Sequence, residues 1–385
     1  MTTNHKTTFT PAVALAVLLA LPATGAWAAP APAPVLAPLE QAHTFAQFRH
    51  GDRTSTLLVL KISGADVSAI DLSELGGLHS ADAFDVIKNF DAGALDDLAR
   101  QAQRTRSYPL ADLAGVGPRG ADQIAAGTNY PAHGEEVGLN EAFLFPKKSP
   151  PLGPRSALVA PPGAMMDYEV EVCARFDREL RSVADFDEAR KGFFLCGDYS
   201  DRATLVRNLN LKNILSGDGF PDAKSGGDRF PVGPFLVVPR DWKAFLKGVH
   251  IETYVDGKRR QHAEAGDMLK DLRAIVQETL AEAGTRTWSY QGNRIPMVNR
   301  AAIGTDSAVL TGTGDGVVFN KPDAATMKAV MVAKNRTEQL AAIDGYIGGE
   351  IAKRIYLQPG NTVLYTSNYL GSIQTTVIAP GRPKK

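Results

Sequence analysis

The sequence predicts an α+β chain rich in strands, and three observations predict it. From residue 118 onward, Pro and Gly punctuate short β-type runs: "SALVAPP", "YEVEVCARF", "GFFLCGDYS", "FPVGPFLVVP", "HIETYVDG", "GDGVVF", "NTVLYTS" and "QTTVIAP". Many short strands with turn signals mark a β-rich domain. Two longer segments within it, 265–284 and 323–356, carry helical patterning instead, the first closing on Gly284. Ahead of them, residues 41–117 read as a small α/β unit. Two β-like runs, 57–62 and 67–72, flank a Ser-Gly turn, and "SADAFDVIKNF" and "AGALDDLARQAQR" follow with apolar spacings of three and four.

The first residues have another character. "MTTNHK" precedes the apolar stretch "FTPAVALAVLLALPATG", and Ala26-Trp27-Ala28 fits a small-x-small cleavage site. Pro22 interrupts the apolar run, which falls short of the roughly 20 residues a membrane span needs. Residues 1–28 are therefore expected to be a cleaved signal peptide, giving a periplasmic or secreted protein with no membrane attachment in its mature form. A Pro/Ala linker follows at 29–40. The chain of 385 residues has 42 basic and 42 acidic side chains. Zero net charge gives no reason to expect a nucleic-acid partner. The two cysteines, Cys173 and Cys196, can pair in an oxidising compartment.

Chemistry is suggested first by "DYEVEV". Glu169 and Glu171 are two apart in a strand-like run, so they share a face and repel. Either both are solvated on an exposed edge, or a cation neutralises them. Asp198 ends another apolar run, "GFFLCGD", where it can face a cavity. Two Glu and one Asp form an all-oxygen set suited to a hard cation such as Mg²⁺, Mn²⁺ or Ca²⁺; zinc more often uses His or Cys. In "GTNYPAHGEEVG", His133 precedes Glu136 by three. On a helical turn the two share a face, and the carboxylate can orient the imidazole as a base. A solvated surface pair has the same spacing.

Taken together, these segments resemble the fumarylacetoacetate hydrolase family over roughly residues 124–380. "GTNYPAHGEE" looks like that family's Gly-x-Asn-Tyr-x-x-His-x-x-Glu, and "DYEVEV" like its Tyr-Glu-x-Glu strand. "GDYSDR", "AKSGGDRFPVGPFLV", "LTGTGDGVVF" and "LQPGNTV" resemble four further family segments in consistent order. The resemblance implies a mixed β-roll catalytic domain over 118–385, a divalent cation and a homodimer. It assigns the metal ligands to Glu169, Glu171 and Asp198, and the catalytic roles to His133, Glu136 and Lys224. Tyr130, Arg202, Gly312 and Thr313 fall at substrate-binding positions, Thr313 where the family contacts a substrate carboxylate.

The departures are specific. Ala126 stands where the tyrosine-pathway members carry a fourth metal acid, so the chain looks like the three-carboxylate branch. Gly314 and Asn361 replace the usual Pro and Asp of two turns, and the helical segment at 323–356 is longer than expected. The implied activity is metal-dependent hydrolysis of a C–C bond in a small β-diketo or acylpyruvate-type carboxylate. Decarboxylation or hydration/isomerisation of a 2-oxo acid through an enolate is the alternative, and a non-catalytic exported binder of metal or ligand is the reading from a different class. One geometric expectation is separate from the resemblance. If the two acid-bearing strands are antiparallel neighbours pairing 171 with 198, Cys173 faces Cys196 and a disulfide is expected.

Overall fold

A computed structural model describes residues 33–210 and 213–381. The expected signal peptide, and the first residues of the expected linker, lie outside the described residues. Residues 33–38 run without regular structure. Among the described residues no helix is long and apolar enough to cross a membrane.

The expected β-rich α+β architecture is present. Among the described residues an 11-stranded, mostly antiparallel sheet forms the body. Its order is Arg106–Pro109, Asp66–Asp71, Arg53–Ser63, Ala42–His50, Phe235–Pro239, Lys191–Gly197, Val170–Phe176, Val309–Leu310, Asp122–Gly127 and Phe143–Lys148, with Leu113–Ala114 beside Ala42–His50. The expected N-terminal strands form as Arg53–Ser63 and Asp66–Asp71. They do not make a separate sheet. Ala42–His50 pairs with Phe235–Pro239, so the N-terminal unit extends the sheet that carries the site. A five-stranded sheet, ordered Lys258–Glu264, His250–Val255, Thr362–Ser367, Gly371–Ile378 and Arg155–Val159, packs on the first.

The strands Val170–Phe176 and Lys191–Gly197 are wholly buried, their charged residues Glu171, Arg175 and Lys191 included. They are antiparallel neighbours, as expected, but the register differs by two residues. Glu171 pairs with Cys196 and Cys173 with Phe194. A shift of two leaves every side chain on its original face. The disulfide therefore still forms, as a diagonal bridge between Cys173 and Cys196 with Cα atoms 5.9 Å apart.

The helix expected at 265–284 starts later, at Leu272–Glu282. The side chain of Asn129 holds both backbone groups of Lys270, accepting from its N–H at 2.8 Å and donating to its carbonyl at 3.0 Å. Those groups are lost to a helix. Asp271 then caps it, accepting from the Ala274 N–H. The segment at 323–356 forms a hairpin of two helices, Ala324–Val332 and Arg336–Ala352, capped by Asp323 and Asn335. It packs on the helix Arg202–Asn208 through Val206, Val330, Ile343 and Ile347.

Candidate metal and catalytic site

The acidic end of the Val170–Phe176 strand builds the site. Asp198 lies just beyond the neighbouring strand, and its N–H donates to the Glu169 carbonyl at 2.9 Å. That bond continues the register and sets Asp198 opposite Glu169, with Glu171 one step along the face. One carboxylate oxygen from each of Glu169, Glu171 and Asp198 lies within 4.8 Å of the other two, and all three residues are buried.

Three cations reach the cluster. Lys224 Nζ bridges Glu169 Oε2 at 2.6 Å and Asp198 Oδ2 at 2.8 Å. Lys147 Nζ meets Asp198 Oδ1 at 2.7 Å and donates to the Lys224 carbonyl. Arg202 forks between Glu169 Oε1 at 2.5 Å and Asp167 Oδ2 at 2.9 Å. Asp167 also accepts the N–H groups of Val318 and Phe319, which fastens the following loop to the cluster. Four carboxylates (Asp167, Glu169, Glu171, Asp198) thus meet three cations (Lys147, Arg202, Lys224). The surplus charge sits on Glu171. Its partner is the Gly312 N–H at 2.6 Å, and among the described residues no lysine or arginine pairs with it.

Titration behaviour follows this imbalance. Burial raises Glu169, but Lys224 and Arg202 outweigh it and bring the group to about 2. Burial, then the Asp198 and Glu169 charges, push Glu171 well above the usual carboxylate range. Burial opposes the charge on Lys224, yet Asp198 and Glu169 hold it above the ordinary lysine value. An all-oxygen donor set with one uncompensated buried acid fits a hard divalent cation at Glu169, Glu171 and Asp198.

His133 and Glu136 stand on the helix Pro131–Val137. Pro131 supplies the fixed φ of a first helical position, and Gly138, in the left-handed region, ends the helix after two turns. At this spacing His133 Nδ1 and Glu136 Oε2 are 3.1 Å apart, while Glu136 Oε1 accepts from the Gly316 N–H at 3.1 Å. A carboxylate on Nδ1 fixes the proton there and leaves Nε2 as the acceptor. His133, Glu169, Arg202, Lys224 and Thr313 line one cavity of about 230 Å³.

Among the expected substrate contacts, Arg202 and Thr313 line that cavity, whereas Tyr130 and Gly312 do not. Tyr130 is packed in the core, and Gly312 gives its N–H to Glu171. The Thr313 hydroxyl donates its single proton to the Val170 carbonyl at 2.8 Å and accepts from Gln261 Nε2 at 2.9 Å. As placed, it can accept from a ligand but not donate to a carboxylate. Three residues at the site escaped the sequence reading. Asp167 continues the two-residue spacing of Glu169 and Glu171, a signal that was present. Lys147 opens a Lys-Lys pair that reads as solvated surface, and Gln261 lies in a charged hairpin, so neither gives a signal.

The sheet-rich α+β fold that carries this carboxylate cluster and His–Glu pair is one that known proteins share. Residues 123–378 match the family described as fumarylacetoacetate (FAA) hydrolase, C-terminal, and the chain belongs to the fumarylacetoacetate hydrolase family. A 182-residue stretch is 26% identical to Protein Rv2993c of Mycobacterium tuberculosis, covering 45% of this chain and 64% of that protein, so just under two thirds of the relative is spanned. Three solved structures, each covered in full by 88% of this chain, share the fold. Fumarylacetoacetate hydrolase from Exiguobacterium antarcticum has a TM-score of 0.57 at 17% identity. Maleylpyruvate hydrolase from Sphingobium sp. SYK-6, in complex with manganese(II) and pyruvate, has 0.54 at 18%. 2-Hydroxyhepta-2,4-diene-1,7-dioate isomerase from Mycobacterium marinum has 0.53 at 19%.

Proposed function

We propose that the protein is a divalent-metal-dependent hydrolase that cleaves a C–C bond in an acylpyruvate-type or β-diketo carboxylate. The observation that carries this reading is the shared cavity: His133, which Glu136 holds through Nδ1, lines it together with Lys224 and Glu169. A pure metal binder needs the acids but has no use for an oriented histidine. The manganese and pyruvate bound by the Sphingobium maleylpyruvate hydrolase support the same chemistry.

A cation bound by Glu169, Glu171 and Asp198 (Mg²⁺, Mn²⁺ or Ca²⁺) would supply Lewis-acid polarisation of the substrate carbonyl. The chain's own groups do the rest. His133 Nε2 takes a proton from water, and Glu136 stabilises the imidazolium through Nδ1. The hydroxide oxygen bonds to the acyl carbon, and the bond between that carbon and the methylene breaks. Its electron pair leaves as the enolate of pyruvate, which is then protonated on carbon. Lys224, kept positive by Asp198 and Glu169, places a fixed positive charge and a proton donor at the cavity wall. Acylpyruvate and water give a carboxylate, pyruvate and one proton.

We propose further that the chain is exported to the periplasm or secreted and acts as a homodimer. The leader-like residues 1–28 and the Cys173–Cys196 disulfide support export, because disulfides persist in oxidising compartments. The activity is tested by turnover of acetylpyruvate with added Mn²⁺ or Mg²⁺. His133→Ala is expected to lower kcat about 10²–10⁴-fold, and Glu169→Ala or chelation to abolish activity. Conversion of a 2-oxo acid without acylpyruvate cleavage would replace hydrolysis by decarboxylation or isomerisation. Metal binding with no turnover of either class would favour the binder.

A further inference from the structure

Of the clustered acids, Glu169 is the one that lines the cavity. Beyond the polar group of Thr128, His133, Arg202, Lys224 and Thr313, its buried lining is mainly apolar: Phe143, Leu205, Val206, Phe220, Val330 and Ile343, none more than 9% exposed. Phe143 and Phe220 meet edge to face with ring centroids 4.8 Å apart, making an aromatic wall. The helical hairpin at 323–356 supplies the roof, with Val330 from Ala324–Val332 and Ile343 from Arg336–Ala352. The unusual length of that segment thus acquires a position, directly over the candidate site.

Charge decides what such a chamber can hold. Arg202 and Lys224 line the cavity, but their charges are engaged by Asp167, Glu169 and Asp198. Lys321 also lines it, yet its side chain lies beside Gly138 and is exposed, which places it at the mouth. Among the described lining residues no buried lysine or arginine remains unengaged for a second carboxylate. Burying an unpaired carboxylate there is strongly unfavourable, whereas an apolar chain is favoured by about 0.8 kcal/mol per methylene.

We infer that the substrate carries an apolar acyl group, aliphatic or aromatic, seated under the helical hairpin, and not a second carboxylate. On the hydrolase reading above, which this inference deepens, the substrate is a medium-chain acylpyruvate or aroylpyruvate. Water cleaves it to a medium-chain or aromatic carboxylate plus pyruvate and a proton.

The test measures binding and turnover separately. Calorimetry is run on the full protein with straight-chain 2-oxo acids from 2-oxobutanoate to 2-oxodecanoate, with and without Mn²⁺. Affinity is expected to rise with each methylene, by up to about fourfold at full burial. For turnover, octanoylpyruvate is expected to exceed acetylpyruvate in kcat/KM, and both to exceed fumarylpyruvate. Val330→Trp fills the chamber and should flatten both dependences. Ile343→Ala enlarges it and should move the optimum to longer chains, which keeps the test open if the tryptophan variant does not fold. Affinity and turnover that are flat in chain length, or a preference for the dicarboxylate, overturn the inference while leaving hydrolysis standing. Chain-length-dependent binding without any turnover leaves the apolar chamber standing and removes the hydrolase. Absence of binding across the whole series overturns the chamber.

Discussion

Near its start the Val170–Phe176 strand carries Glu171, with Glu169 just ahead of it; near its end it carries Arg175. All are buried, and alternate positions place them along one face with the Cys173–Cys196 bridge between. The two ends handle buried charge differently. Arg175 is matched: its guanidinium meets the Asp82 carboxylate and donates to the carbonyls of Val116 at 3.2 Å, Gly117 at 3.0 Å and Thr305 at 3.3 Å. Gly192 stands opposite it on the next strand. This end is closed and fastens the N-terminal unit to the sheet. The acidic end opens on the cavity and carries one carboxylate too many. A buried charge with its partners present is a structural tie, whereas a surplus one beside a cavity marks a place for something the chain does not itself supply.

Paired substitutions are the strongest way to break this comparison. Arg175→Met leaves Asp82 without its buried partner and should destabilise the protein by about 3–5 kcal/mol, read from urea denaturation. Glu171→Gln removes the surplus charge instead. It should cost no stability in metal-free protein, while abolishing the rise in Tm expected of the wild type with Mn²⁺. If Glu171→Gln destabilised the metal-free protein as Arg175→Met does, the acidic end would be another structural tie.

A smaller effect is expected between the two ends. The disulfide closes a loop of sequence separation 23. Replacing both cysteines by alanine should lower stability by about 2–4 kcal/mol. Denaturation of the oxidised protein, with and without a reductant, checks it independently. A reductant that shifted the wild type but left the double variant unmoved would assign the whole effect to this bridge.

Much of this site is legible in the sequence because its carboxylates obey strand periodicity and its dyad obeys helical periodicity. Glu169, Glu171, His133 and Glu136 are each placed by a local rule, and Asp198 by its position at the end of an apolar run. The cations are not local in the same sense. Lys147 reaches Asp198 across 51 residues and Lys224 reaches Glu169 across 55, so their roles exist only once the sheet has formed. The strand register shows the same limit. Face and direction follow from the alternation of side chains, but a slip of two residues preserves that alternation, and pattern alone does not separate the two registers. The hairpin at 323–356 is legible as helix from its spacing. Its place as a roof depends on Val206, more than a hundred residues earlier, and has no local signature.

The smallest expected effect lies on the N-terminal side, at a histidine that matches no catalytic motif. His43 is buried on the strand Ala42–His50, and its Nε2 lies 2.8 Å from Asp96 Oδ1. Burial lowers its pKa; the Asp96 carboxylate opposes that shift without cancelling it, and Arg240 and Arg190 add to it. The sign follows from linkage. Below the ordinary histidine value of 6.5 the unfolded chain takes up a proton that folded His43 still refuses, so stability falls as pH drops from 6.5 toward the lowered folded value, then stops falling on this account. One group can contribute at most about 1.4 kcal/mol per pH unit. Urea midpoints of wild type and His43→Gln, compared at pH 7.5 and 5.5, should show the steeper acid loss in the wild type. Equal slopes would mean that Asp96 compensates burial in full and that this histidine, like Arg175, is a balanced structural group.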